Sequence, residues 1–346
     1  MRKQTTAFGL KMKRFWVVLA ILLAILLLVL VYKLLHAWEF ADQPVGETDP
    51  RNTSLAAHSE DERPMISYQG SWYALKPELE TVLLMGLDKY EEDAGEGLGY
   101  RNSQQTDFML LLVIDREAGN YSAIHLNRDT MAEIPVIGAD GKSAGTVTGQ
   151  LTLAHTYGSG GRDSSQNAVK AVSDFLYGTE IDHYVTFTMD AVPVLNDAVG
   201  GVEVTLLADF SDIDPRLREG EPVTLHGDEA LLYVRSRGSL EDSTNLFRME
   251  RQRQYLNALY EALSLRSEND EGFLTGCLLQ INDYFTSDCT INQLNELGLQ
   301  MQSFAFLGIE DIPGTATVGE KYMEYYVDED ALQDLLVRTL YEPSER

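Results

Sequence analysis

Apolar positions occur along the chain in three kinds of run. The first is a solid block of 18 consecutive apolar or aromatic residues, 15–32, with Leu34 and Leu35 following Lys33. That is close to the roughly 20 residues a helix needs to cross about 30 Å of hydrocarbon. The second kind is short and dense. Residues 81–86, 108–114 and 121–126 predict buried strands, the last two joined by a turn over 115–120, and 184–187 and 201–204 predict two more. The third kind repeats at helical spacing. Ala168, Val169, Val172, Phe175 and Leu176 form an i, i+3, i+4, i+7 stripe, with Ser164 or Ser165 as the cap and Gly178 as the stop. Residues 189–198, 228–233 and 247–263 also predict helices. The carboxy-terminal part adds further helices, a short strand around 324–327 and a last helix from Glu329. The alternation predicts an α/β fold, a mixed central sheet sandwiched by helices, behind one N-terminal transmembrane helix.

Charge orients this arrangement. Residues 1–37 hold six basic residues (Arg2, Lys3, Lys11, Lys13, Arg14, Lys33) and no acidic one. The positive-inside rule predicts a cytoplasmic tail over 1–14, a single-pass signal anchor over 15–36, a polar tether over 37–64 and an extracellular domain over 65–346. A cleaved signal peptide would carry a shorter core and a small-residue site, which Tyr32-Lys33-Leu34-Leu35-His36 lacks. The whole chain has 27 Lys+Arg against 54 Asp+Glu, so the part after residue 37 has 21 against 54, a net of −33. Such a surface repels polyanions and argues against nucleic-acid binding. Cys277 and Cys289 are too few for a disulfide scaffold, and both a single bridge and two unpaired thiols fit the sequence.

Four places carry candidate chemistry. Gly86-Leu87-Asp88 ends an apolar strand on a carboxylate, which suits a metal ligand or a cap on the next turn. Arg101 through Asp107 opens the next strand, and Asn127-Arg128-Asp129-Thr130 follows the third as an active pair or a local ion pair. Arg235, Arg237, Arg248, Arg251 and Arg253 fall within 19 residues of a strongly acidic domain. Arg248 and Arg251 are i, i+3 on one helix. Several guanidiniums together could hold a pyrophosphate, and two carboxylates with phosphate oxygens could hold Mg2+; surface ion pairing is the bland alternative. No Walker loop, GxSxG or metal-spaced His pair is present, so His125, His155 and His226 read as packing or hydrogen-bonding residues.

At these residues the chain resembles the LytR-CpsA-Psr family of membrane-anchored wall-polymer transferases. The matching stretches are Leu83-Leu84-Met85-Gly86-Leu87-Asp88, Thr106-Asp107, Asn127-Arg128-Asp129-Thr130 and Leu153-Ala154-His155-Thr156-Tyr157-Gly158. They continue with Val199-Gly200-Gly201-Val202-Glu203-Val204, the run from His226 to Arg237, and Arg248-Met249-Glu250-Arg251-Gln252. The core of the resemblance spans about 78–263. It implies a Mg2+-dependent enzyme that transfers an undecaprenyl-pyrophosphate-linked glycopolymer (teichoic acid, capsule or a related polysaccharide) to peptidoglycan. Asp88 and Asp107 would hold Mg2+. Arg128, Arg235, Arg237, Arg248 and Arg251 would bind pyrophosphate, with Arg101 and Gln252 as further contacts, and Asp129 would orient Arg128 or assist proton removal. The prenyl chain would enter an apolar pocket, for which the helix over 165–177 and the segment 192–199 are candidate walls.

Where the family commonly has Arg, this chain has Gln105; Arg101 would replace it from the loop, and the acidic, Gly-rich stretch 91–100 predicts a mobile loop nearby. The absent guanidinium keeps a second class open: a regulatory module that binds prenyl-pyrophosphate carriers without turning them over. Pyrophosphate hydrolysis is a side activity the same site would support.

Overall fold

The computed structural model describes residues 63–89, 101–236, 245–270 and 272–344. The apolar run 15–36, most of the tether, the stretch 91–100 and Arg237 lie outside these residues. The compact unit is Arg63–Arg346. It begins with β1 (Met65–Tyr68) and β2 (Ser71–Leu75), which pair with the last strand, β15 (Tyr341–Pro343), and so tie the two ends of the unit together.

The central sheet is built from β3 (Leu79–Lys89), β4 (Gln104–Asp115), β5 (Asn120–His125), β8 (His183–Thr188), β11 (Phe285–Ser287) and β12 (Ala305–Asp311). Its order is β11-β8-β3-β4-β5-β12. β8 runs parallel to β3 and β12 parallel to β5, while the other neighbours are antiparallel. The mixed α/β architecture predicted from the sequence is therefore present. Between β5 and β8 lie the hairpin β6 (Met131–Ile137) with β7 (Ser143–Gln150), a 3-10 turn (Leu151–Thr156) and helix α1 (Arg162–Phe175). The hairpin has no counterpart in the sequence reading, because β7 is exposed over most of its length and shows no apolar alternation.

Helix α1 starts a turn earlier than Ser164 and Ser165 suggest. Both serines lie inside the helix and are buried, and Ser164 Oγ donates to the Tyr157 carbonyl at 3.0 Å. They anchor the preceding loop instead of capping the helix. Gly158 and Gly160 in that loop have φ of +114° and +87°, a region that favours glycine.

After β8 come α2 (Ala191–Ala198), the pair β9 (Val202–Thr205) and β10 (Pro222–Leu225), then α3 (Asp228–Arg235), α4 (Leu246–Ser267) and α5 (Phe273–Gln280). The chain closes with α6 (Ile291–Ser303), the hairpin β13 (Gly314–Val318) with β14 (Met323–Val327), and α7 (Glu329–Leu340). Among the described residues no helix is long and apolar enough to cross a membrane.

Successive residues of a strand point to opposite faces, so each central strand feeds two cores. Leu83, Met85, Met109, Leu111 and Val113 pack with Ala168, Ala171 and Val172 of α1 and with Leu332, Leu335 and Leu336 of α7. Val82, Leu84, Leu112 and Ile114 face the other way, toward Tyr260 of α4 and Leu294, Leu297 and Met301 of α6. A third cluster joins β9, β10 and α3 to Tyr255 and Leu259 of α4. Helix α4 thus touches two cores, which is why its apolar residues do not form one stripe.

Candidate active site

The site forms where β3 ends and β4 begins. Gly86 pairs with Phe108 and Leu87 with Thr106, so Asp107 is an extra residue with no partner across the ladder. A bulge of this kind re-aims a side chain. Gly86 permits it: a Cβ there would lie 3.1 Å from the Cβ of Phe108.

Asp107 is 7% exposed and binds two guanidiniums. One oxygen accepts from Arg128 Nη1, and the other accepts from Arg248 Nη1 at 3.1 Å. Arg128 and Arg248 are 6% and 5% exposed, so a carboxylate between them offsets charge that would otherwise be costly to bury. Arg128 sits in a tight turn in which Asn127 Oδ1 accepts from the Asp129 amide at 3.0 Å. Its Nη2 donates to Gln105 Oε1 at 3.0 Å, and its Nε lies 3.4 Å from Asp129, a charge contact without hydrogen-bond alignment. Gln150 donates to Asp129 at 3.0 Å and holds that carboxylate in place.

Arg248 comes from the first turn of α4. The side chain of Asn245, just before the helix, accepts from Arg248 Nε at 2.8 Å and donates to Asn127 at 3.2 Å. Asn245 and Asn127 link the two arginine-bearing turns, and the sequence reading assigned neither a role. A polar residue at a helix start is an available signal, but it normally means a cap.

Asp88 stands beside this group and accepts from Arg235 Nε at 2.7 Å. Half of the Arg235 side chain is open to solvent (51%). Asp88, Asp107, Arg235 and Arg248 line one cavity of about 690 Å3, whose far wall carries Ile213, Asp214, Leu217, Asp228 and Glu229. Arg216 pairs with both Asp214 and Glu229. The sequence reading did not single out these three wall carboxylates; Asp228 and Glu229 resemble ordinary helix-start acids.

Other predicted site residues point elsewhere. Arg251 is buried, donates from Nε to the Tyr233 carbonyl at 2.9 Å and from Nη2 to that of Ser236, and lies over the Phe210 and Tyr233 rings. Burial holds its guanidinium below the ordinary arginine value. Gln252 donates to the Val234 carbonyl at 3.1 Å. These two side chains bind the exposed carbonyls at the end of α3 and so steady the helix that carries Arg235. Arg101 donates to Thr156 at 3.1 Å and lies 4.9 Å over the Tyr157 ring, away from Asp107. It does not supply the guanidinium that the family commonly has where this chain has Gln105.

Two of the three histidines read as packing or hydrogen-bonding residues do pack: His125 and His155 are buried, His125 against the Phe108 ring at 5.3 Å, and burial pushes His155 down to about 4, whereas His226 is exposed. Both cysteines are free thiols, Cys277 buried and Cys289 half-buried.

Comparison with known proteins gives this geometry a lineage. Polyisoprenyl-teichoic acid--peptidoglycan teichoic acid transferase TagU of Halalkalibacterium halodurans is 32% identical over 180 residues, 52% of this chain and about half (51%) of that relative. The structure of B. subtilis TagV shares the fold, with a TM-score of 0.59 at 22% identity over 77% of this chain and 98% of that one. So does TagT bound to LI-WTA, with a TM-score of 0.56 at 20% identity over 76% and 91%. The sequence pattern of the LytR_cpsA_psr family matches residues 48–339, which contain the whole cavity. The chain therefore belongs to the LytR_cpsA_psr family.

Proposed function

We propose that this protein is a membrane-anchored transferase that moves a glycopolymer from a polyprenyl-pyrophosphate carrier to peptidoglycan outside the cell. The observation that carries the reading is Asp107, held on a bulge between two buried guanidiniums in the same cavity as the Asp88–Arg235 pair. The names of relatives such as TagU point the same way. The apolar run 15–36 would anchor the chain, its basic flank inside and residues 65–346 outside.

The donor set suits Mg2+. Asp88 and Asp107 offer hard carboxylate oxygens, the kind of ligand this ion takes together with substrate phosphate. Among the described residues five carboxylates line the cavity (Asp88, Asp107, Asp214, Asp228, Glu229), and Asp88 and Asp107 are balanced by Arg235, Arg128 and Arg248, so an ion held by those two carboxylates would free the guanidiniums to meet the pyrophosphate. Bound there, Mg2+ would neutralise charge on the pyrophosphate oxygens.

The chain's own residues do the rest. Arg235, at the open side, meets the incoming pyrophosphate, and Arg128 and Arg248 present fixed positive charge at the buried end. Asp129 and Asn245 hold these two guanidiniums in place, so little reorganisation is needed as charge develops on the departing lipid phosphate. The acceptor oxygen bonds to the centre that carries the pyrophosphate, the bond from that centre to the lipid phosphate breaks with its electron pair on the departing phosphate, and the hydroxyl proton passes to that phosphate or to solvent. A leaving group that stays charged needs no strong acid, which agrees with the burial of His125 and His155 away from solvent. The half-buried apolar residues between the sheet and helices α4 and α6 are the surface available to a prenyl chain. The helix over 165–177 is not such a wall: its inward residues Ala168, Ala171 and Val172 are fully buried core, and Val199 belongs to the separate cluster around β9 and α3.

The test uses the full chain in detergent with a synthetic prenyl-pyrophosphate-linked glycan, peptidoglycan and Mg2+. Lipid phosphate should be released only with acceptor and Mg2+ present, and Asp107→Ala should lose on the order of 10²–10³ in rate. Tight glycan-lipid binding without product under several acceptors would move the assignment to a carrier-binding module. The Gln105–Arg128 bond in place of an additional guanidinium favours that second reading. Absence of binding would overturn both.

A further inference from the structure

The opposite end of the sheet carries a second, unrelated set of donor atoms. Glu80 and Asp88 lie eight residues apart on β3, about 26 Å at roughly 3.3 Å per residue. Next to Glu80 stand His183, the first residue of β8, and Asp288 and Cys289, which directly follow β11. Ser287 pairs with Val185, so the exit of β11 is fixed beside the entrance of β8. The 105-residue separation of His183 from Asp288 hides this grouping from any search for spaced motifs.

The loop is tightly held. Asp288 Oδ1 accepts from the Tyr184 amide at 3.0 Å, and Oδ2 lies 3.2 Å from His183 Nδ1. Ser287 Oγ donates to the Tyr184 carbonyl at 2.7 Å and accepts from the Cys289 amide at 2.9 Å. The ligand atoms of His183, Asp288 and Cys289 all fall within 4.8 Å of one another, and Glu80 Oε1 is 3.8 Å from His183 Nε2. About a third of the His183 and Asp288 side chains is open to solvent, so an ion has access.

We propose that His183, Asp288 and Cys289 form a binding site for Zn2+ or a similar late first-row divalent ion, with the fourth position left to water; Glu80, paired with Arg116 and standing at the far nitrogen of the His183 ring, orients that ring. An imidazole, a thiolate and a carboxylate make the mixed nitrogen, sulfur and oxygen set that such ions take and that Mg2+ does not. A tetrahedral shell with bonds of about 2.0–2.3 Å has edges of roughly 3.3–3.8 Å. The present spacing closes to that by rotation of side chains whose backbones are already fixed. Burial, with the neighbouring Asp288, holds the Cys289 thiol above its ordinary value, and metal binding would release that proton. The consequence is mechanical. Helix α6 begins two residues after Cys289, so the ion would clamp the root of the helix that covers the half-buried face of the sheet to β3 and β8.

The full chain, stripped of metal and kept in detergent, is titrated with Co2+ alone, followed by Zn2+. We expect a thiolate-to-Co2+ charge-transfer band that Zn2+ removes, and a rise in Tm with Zn2+. Cys289→Ser, nearly the same shape, should lose the band, and His183→Gln should weaken Co2+ binding by at least about tenfold. Cys277→Ser and Asp88→Ala should keep both the band and the affinity. A missing band in the wild type overturns the site. So does a band that survives Cys289→Ser, or Co2+ affinity that falls in Asp88→Ala but not in His183→Gln.

Discussion

Leu111 and Leu112 are neighbours on β4, yet they meet different surroundings. Leu111 is completely buried against α1 and α7, as are Leu83, Met85 and Met109. Leu112 is half-buried among Leu84, Phe187, Tyr260 and Phe306 on the opposite face. The strand is the same, so strand propensity cannot account for the difference; the cover does. Helix α1 presents Ala168 and Ala171, small residues that let it lie close to the sheet. Helix α6 presents Leu294, Leu297 and Met301, and none of its residues is fully buried. Aromatic rings fill that side, with Tyr121 and Phe306 stacked at 5.0 Å and Tyr260 5.6 Å from Phe306. One face of the sheet is closed throughout; the other is closed at Val82, Ile114, Tyr121 and Val185 and only half-buried around Leu84, Leu112 and Phe187.

Three measurements would break or sharpen this contrast. Leu111→Ala should be the most damaging, removing about 2–5 kcal/mol by denaturant unfolding because a closed cavity is left behind. The tight face should also set the acid limit of the fold. His155, fully buried on that side, is pushed by burial from an ordinary 6.5 down to about 4. The unfolded chain therefore takes up the proton first, and stability present above about pH 6.5 is lost as the pH falls toward 4. Between pH 7.5 and pH 5 this amounts to about 2 kcal/mol, from 1.36 kcal/mol per pH unit. Unfolding of His155→Gln should lack that part of the slope; an unchanged slope would place the proton uptake elsewhere. The smallest effect belongs to Leu112→Ala, about 1 kcal/mol in stability, since its site is already open and part of the side chain stays hydrated. Its signature should be a several-fold rise in KM for the lipid-linked substrate, measured against a short-chain analogue whose KM stays constant. Equal stability losses at Leu111 and Leu112 would dissolve the distinction between the faces.

The candidate site was legible in pieces. Asp88 and Arg128 stand where strands end, and dense apolar runs make strand ends easy to find. Arg248 and Arg251 illustrate the limit. Their i, i+3 spacing puts them on one side of α4, but about 60° apart around the helix, and α4 lies between two cores. Arg248 turns to Asp107 while Arg251 turns to the carbonyls ending α3. Asn245 was equally hidden, since its partners Arg248 and Asn127 come together only when α4 docks on the turn after β5.

By itself the sequence determined the alternation of strands and helices, the mixed α/β class, the charge asymmetry and the carboxylates and arginines at strand ends, because these follow from local periodicity and composition. Only the tertiary structure decided which face of the sheet is closed, which arginines reach Asp107, and that His183 meets Cys289 across 106 residues of chain. Those outcomes depend on how closely one element can approach another, which is set by the side chains of both.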